Sequence, residues 1–236
     1  MTAEQFINKL KTYQSAKEQQ KIQRYLKTDA SDHQVLGVRM KQVFDLAKEH
    51  TDMSLEEIEA LLESLYYEAR MGAMSIMDFQ AQYKKTTEAQ RKNLFDLYID
   101  RHDRINNWDL VDRAAKRVIG GYLYDFKKPR DILYKLARSE NIWERRTAMA
   151  STSYFIRKGD LDDTYNIAEI LLQDEHDLIH KAVGGWLREA GKQDLQRLLR
   201  FLDQHAATMP RTMLRYATEK LDKQQRDQYR SLKQIE

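Results

Sequence analysis

Along most of the chain apolar residues return every three or four positions, the period of an amphipathic helix rather than a strand. Phe6, Ile7 and Leu10 share a face over residues 3–13, and Ile22, Tyr25 and Leu26 do so over 17–27. A polar loop, Thr28 to Gln34, then leads to Leu36-Gly37-Val38-Arg39-Met40 and a helix to about Lys48. Ser54 with Glu57 reads as a capping box that opens a helix whose buried stripe is Ile58, Leu61, Leu62 and Leu65. Residues 68–84 carry Met71, Met74, Met77, Phe79 and Tyr83, a spacing that predicts core packing.

The remaining helices are predicted in pairs: 88–101 with 108–124, 129–138 with 141–158, 161–172 with 177–190, and 193–204 with 210–222. Second members begin near 70, 108, 142, 177 and 210, a step of about 33–38 residues that is the range of two-helix solenoid repeats. No signature recurs from unit to unit, so the repeat is degenerate. The expected fold is all-α, a curved α-solenoid in one domain: N-terminal helices over 1–50, helix pairs over 51–225 and a tail over 226–236.

Composition supports helices. Among 236 residues there are 8 Gly and 2 Pro, too few to build many tight turns. The absence of Cys excludes disulfides, thiolate nucleophiles and Cys-ligated zinc, and fits a cytoplasmic protein. The start, Met1-Thr2-Ala3-Glu4-Gln5-Phe6, does not read as a signal peptide, and no run approaches the ~18 apolar residues of a membrane span.

A net charge of +3 is small, and its distribution matters more. First members are acidic: Glu56, Glu57, Glu59 and Glu63 in one, Asp160, Asp162, Asp163, Glu169, Asp174 and Glu175 in another. Second members carry Arg113 and Lys116, Arg145 and Arg146, Lys181 and Arg188, Arg211 and Arg215. Second members commonly line the inner face of such an array, so a basic groove suited to a phosphate backbone is expected. The alternative is that these charges only keep the helices soluble.

Asn106-Asn107-Trp108-Asp109-Leu110-Val111-Asp112 opens one second member. Asn106 and Asn107 are N-cap candidates, and the stripe of Trp108, Asp112, Ala115 and Lys116 lies apart from the apolar stripe of Leu110, Val111, Ala114 and Val118. An aromatic ring beside a carboxylate suits a cationic ligand, although first-turn acids also serve the helix dipole alone. Trp143 and Trp186 lie on other second members. Trp143 is expected in the core, beside Ile142. Aromatics interleaved with Arg and Lys favour a nucleic acid.

A carboxylate in such a groove can stabilise the oxocarbenium-like state of glycosidic hydrolysis. A purine alkylated at N3 or N7 is already cationic and departs neutral, so no general acid is needed. No phosphate-binding Gly loop is present, because Gly120-Gly121 and Gly184-Gly185 fall within helices. His176, His180 and Asp174 form only a weak metal candidate.

The chain resembles the DNA alkylation repair family of HEAT-like-repeat alkylpurine DNA glycosylases. The matching blocks are Asn107-Trp108-Asp109-Leu110-Val111-Asp112, Asn141-Ile142-Trp143-Glu144-Arg145-Arg146, His180-Lys181-Ala182-Val183-Gly184 with Leu187-Arg188-Glu189, and Met209-Pro210-Arg211-Thr212-Met213-Leu214-Arg215-Tyr216-Ala217. A weaker match extends to Leu36-Gly37-Val38-Arg39. The resemblance implies a HEAT-like solenoid that grips duplex DNA as a monomer, without metal or organic cofactor, and releases 3-methyladenine and 7-methylguanine. It places Asp112 on the catalytic Asp, Trp108 at the lesion and Arg146 beside the DNA backbone, with Trp186 the candidate for a second aromatic at the lesion. Arg39, Arg113, Lys116, Arg145, Lys181, Arg188, Arg211 and Arg215 complete the expected DNA-binding set. One departure stands out: the family pattern is Gly-Trp-aliphatic-Leu-Arg-Glu, whereas this chain has Gly185 at the Trp position and Trp186 one residue later. One residue is about 100° of helical rotation, so a distortion at the glycine pair is what would return Trp186 to the groove.

Overall fold

The computed structural model describes residues 1–26 and 34–232, with Tyr25 described by its backbone only. The predicted Thr28–Gln34 loop lies outside the described residues except for Gln34. That residue makes the isolated bridge to Tyr66, its N–H donating to Leu65 O at 2.8 Å and its carbonyl accepting from Tyr67 N at 2.9 Å. The chain divides into two compact units, Met1–Phe126 and Lys127–Glu236. Among the described residues no helix is long and apolar enough to cross a membrane.

The first unit contains α1 (Ala3–Lys11), α2 (Ala16–Tyr25), α3 (Met40–Glu49), α4 (Leu55–Leu62), α5 (Tyr67–Gln82), α6 (Glu88–Asp100), a 3-10 turn (His102–Arg104), α7 (Trp108–Ala115), a π-helical stretch (Lys116–Gly121) and α8 (Tyr122–Asp125). Helix α5 is the hub. Every residue from Tyr67 to Asp78 is buried, as expected of a helix with apolar side chains on all faces. It packs against α1, α3, α4, α6 and α7. Met71, Met74 and Met77 are core residues, as their spacing predicts.

Buried polar groups on α5 are bonded rather than solvated. Glu68, 0% exposed, accepts from the backbone N–H groups of Leu36 (3.0 Å), Gly37 (2.8 Å) and Val38 (3.2 Å). The Leu36-Gly37-Val38 block thus clips the loop before α3 to the hub. Gly37 has φ +85°, and an added Cβ would overlap Ser15 O and Gln19 of the α2 start. Only glycine fits that approach.

One predicted cap differs from the structure. Ser54 is the N-cap of α4 but its side chain makes no cap hydrogen bond; Glu57 instead accepts from Ala3 N at 2.6 Å, tying α4 to α1. Reciprocal capping boxes occur at Thr2–Gln5 and Thr87–Gln90. Leu65, expected in the buried stripe, lies beyond the end of α4 and is 56% exposed.

The second unit contains α9 (Asp131–Ala137), α10 (Ile142–Ile156), α11 (Asp162–Ile170), α12 (Asp177–Gly191), α13 (Leu195–His205), α14 (Arg211–Ala217) and α15 (Lys223–Ser231). Helices α5, α7, α10, α12 and α14 begin at 67, 108, 142, 177 and 211, close to the starts predicted for the second members. The residues expected as a tail include most of α15. Within this unit α12 packs on α10 and α14 while α11 and α13 fill the other layer. Gly184 permits the close α12–α14 approach, since a Cβ there would overlap Met213 O.

Candidate active site

Asp112 and Trp108 sit one turn apart on α7, Asp112 exposed and Trp108 half-buried. Leu110, Val111, Ala114 and Ala115 on the other faces are fully buried and hold the helix to the core. Ala115 therefore leaves the predicted Trp108–Asp112–Lys116 stripe, while Lys116 stays on it, half-buried.

The start of α7 is pinned by a device invisible in the sequence. Asn107 is the N-cap, yet its side chain does not cap; its Nδ2 donates to Asp109 Oδ1 at 2.6 Å. Asp109 also accepts from Leu110 N at 2.9 Å and from the hydroxyl of Tyr67 on the hub helix. Burial raises the Asp109 carboxyl above the ordinary carboxylate range, against the opposing hydrogen bonds from Tyr67 and Asn107. Asp109 thus anchors the helix, and Asp112, three residues on, is exposed.

The raised value sets a sign. Between the ordinary carboxylate value and the folded one, the folded state binds more protons than the unfolded state, so stability falls as pH rises through that window. Asp109→Asn removes this contribution. Urea unfolding from pH 4 to 7 is expected to show wild type gaining on Asp109→Asn as pH falls; a constant difference would refute the assignment.

Beyond Ala115 the helix widens into a π-helical stretch over Lys116–Gly121, where hydrogen bonding shifts by one residue. At the other glycine pair, where a distortion is what would return Trp186 to the groove, helix α12 runs unbroken through Gly184 and Gly185. An added Cβ at Gly185 would meet nothing within 4 Å. Gly185 shares a helical face with Lys181 and Arg188, whereas Trp186, half-buried, lies over buried Ala182 and Ala190.

The expected basic set separates into two groups. Arg113 turns inward: its Nη1 donates to Asp78 at 2.5 Å, its Nε to Ser75 at 2.9 Å, and its guanidinium lies over Phe44 and Phe79. Asp78, a buried carboxylate, also holds Arg117. Arg145 is likewise committed, to Asp174 at 2.6 Å and to the carbonyls of Ser139 and Glu140. Both guanidinium groups are thus engaged by carboxylates of the protein itself. Arg146 is buried on α10, donating to Leu178 O of α12 at 2.8 Å. Trp143, expected in the core, is half-buried.

The others reach the surface. Arg39 is exposed, 3.6 Å from Glu18. Lys181 pairs with Asp177 at 2.5 Å along α12, and Arg188 contacts Glu189 and Glu219. Arg211 and Arg215 are exposed. Of the first-member acids, Asp163 and Asp174 are partners of arginines, whereas Glu56, Glu63, Asp162, Glu169 and Glu175 are exposed. The histidines considered for a metal close the start of α12, where His176 accepts from Leu178 N at 3.1 Å and His180 contacts Asp174 O.

Comparison with known proteins agrees with the all-helical fold. A family model described as DNA alkylation repair enzyme matches residues 6–221. A solved structure, a predicted DNA alkylation repair enzyme from Enterococcus faecalis, superposes with a TM-score of 0.69 at 20% identity, over 89% of this chain and 97% of that one. At that identity the likeness establishes the all-α helical-repeat fold. No curated protein matches the chain. With nine-tenths of its length inside the family model, the chain belongs to the DNA alkylation repair enzyme family.

Proposed function

We propose that the protein is a DNA glycosylase that hydrolyses the N-glycosidic bond of cationic alkylated purines, 3-methyladenine and 7-methylguanine, in duplex DNA. The observation that carries this reading is the pair on α7, an exposed carboxylate one turn from a half-buried indole, on a helix whose start is fixed by Asp109 and Tyr67. As the C1′–N bond breaks, its electron pair neutralises the purine, and positive charge develops on the sugar. Asp112 faces that charge, and the Trp108 ring favours the cation before departure. Water then adds to C1′ and loses its proton to Asp112 or solvent. Nothing in this sequence of events requires a general acid, a metal or an organic cofactor. Arg39, Lys116, Lys181, Arg188, Arg211 and Arg215 are the proposed backbone contacts, and Arg146 positions α10 against α12. Release of both bases from methylated duplex DNA tests the reading; none from a folded, DNA-binding protein would end it.

A second reading, a DNA-binding member without excision, is favoured by one observation. Gly185 faces open space where the family pattern has a Trp, and Trp186 stays on its own side of α12. Gly185→Trp is expected to fold with stability unchanged or slightly raised, since the site is vacant and Gly costs about 1 kcal/mol against Ala in a helix. If the missing ring limits catalysis, single-turnover excision by the variant rises several-fold. An unchanged rate would mean that Gly185 does not limit the enzyme.

A further inference from the structure

Most arginines whose pairing is described here face a carboxylate, including Arg117, Arg130, Arg145, Arg188 and Arg197. The corner formed by α14 and α15 differs. Arg211 donates to the carbonyls of Arg230 (2.5 Å) and Leu232 (3.2 Å). Arg230 donates back to Arg215 O (2.9 Å) and to Thr218 Oγ1 (3.1 Å). These groups are neutral, so both guanidinium charges are held in place without being cancelled. Among the described residues none of Arg211, Arg215, Arg226 and Arg230 has a carboxylate at ion-pair distance.

Arg215, Tyr216, Glu219, Arg226 and Arg230 line a cavity of about 420 Å³. Glu219, the acid in its wall, is already engaged by Arg188 and Lys220. Burial, then the like charges of Arg226, Arg215 and Arg211, push the Arg230 guanidinium below its ordinary value, with Asp227 opposing. An anion entering the cavity would relieve this repulsion, and a guanidinium fork matches two phosphate oxygens.

We propose that this corner is a phosphodiester site, in which Arg226 and Arg230 of α15 join Arg215 of α14 in holding a backbone phosphate of duplex DNA. It rests on the reading that DNA is the substrate, and it gives a function to the segment expected as a tail.

Arg226 is the residue to change, because Arg230 also ties α15 to α14. Binding of a short undamaged duplex is followed by fluorescence anisotropy across a salt series for wild type, Arg226→Gln and Arg226→Lys, with thermal midpoints as a fold control. The Gln variant is expected to bind about 3–10-fold more weakly and to lose about 0.9 from the slope of log K against log salt, the signature of one phosphate contact. The Lys variant keeps the charge and the slope. Wild-type affinity and slope in Arg226→Gln would overturn the site while leaving the DNA reading intact. No duplex binding by wild type would overturn the DNA reading and this site with it. Equal slope loss in the Lys and Gln variants would show that the slope does not follow the charge, and would also overturn the site.

Discussion

Asp112→Asn is expected to release 7-methylguanine and 3-methyladenine from methylated duplex DNA at least about fivefold more slowly than wild type, with duplex affinity unchanged. The substitution keeps side-chain size and removes the charge. Two unit charges about 4 Å apart gain ~1 kcal/mol in bulk water and ~4 kcal/mol at the screening typical of a protein surface. Each 1.36 kcal/mol of barrier is about tenfold in rate, so the effect is bracketed between roughly fivefold and a thousandfold. Because Asp112 is exposed, loss of the carboxylate is not expected to unfold α7, whose hold on the core comes from Leu110, Val111, Ala114 and Ala115. Single-turnover release at saturating protein separates chemistry from binding. Equal rates in both proteins would remove Asp112 from the chemistry.

The neighbouring carboxylate provides the contrast. Asp109 and Asp112 stand three residues apart in one short helix, and sequence alone permits either to be the functional one or both to serve the helix dipole. What distinguishes them is tertiary. Asp109 meets a hydroxyl from α5 and the amide of Asn107, and Asp112 is the more exposed of the two. Helical periods are written locally, so helix order and most helix starts were legible, down to second members at 108, 142 and 177. The partners of a charged side chain come from elsewhere in the chain. Arg113 and Arg215 each lie in the second turn of a second member, yet one is paired with a carboxylate under two aromatic rings and the other is exposed. The same limit bears on the caps at Ser54 and Asn107: Glu57 is taken by Ala3 of α1, and Asn107 bonds an Asp109 that Tyr67 of α5 holds. It also explains α15, whose polar sequence carries a single buried residue, Tyr229, and so a weak apolar stripe. Arg226 and Arg230 were missed with it.

Glu68→Ala is expected to produce the largest loss of stability, about 3–5 kcal/mol, against a total that is typically ~5–15 kcal/mol for a folded domain. The buried carboxylate is the described acceptor of the N–H groups of Leu36, Gly37 and Val38. Each orphaned buried donor costs roughly 1–3 kcal/mol, and the loop that carries them also fixes the start of α2 through Gly37. Glu68→Gln keeps one carbonyl oxygen and is expected to lose about half as much. Urea unfolding reads the difference as a shift in midpoint at unchanged slope; a loss under about 1 kcal/mol for the Ala variant would show that the clip does not hold the unit together. The consequence reaches the site through a single residue. Tyr67, adjacent to Glu68 on the hub helix, gives its hydroxyl to Asp109, so α5 fixes the loop with one side chain and the start of α7 with the next. Excision per folded molecule is therefore expected to fall with Glu68→Ala even where enough variant remains native to assay, and Tyr67→Phe should reproduce that fall with a much smaller loss of stability.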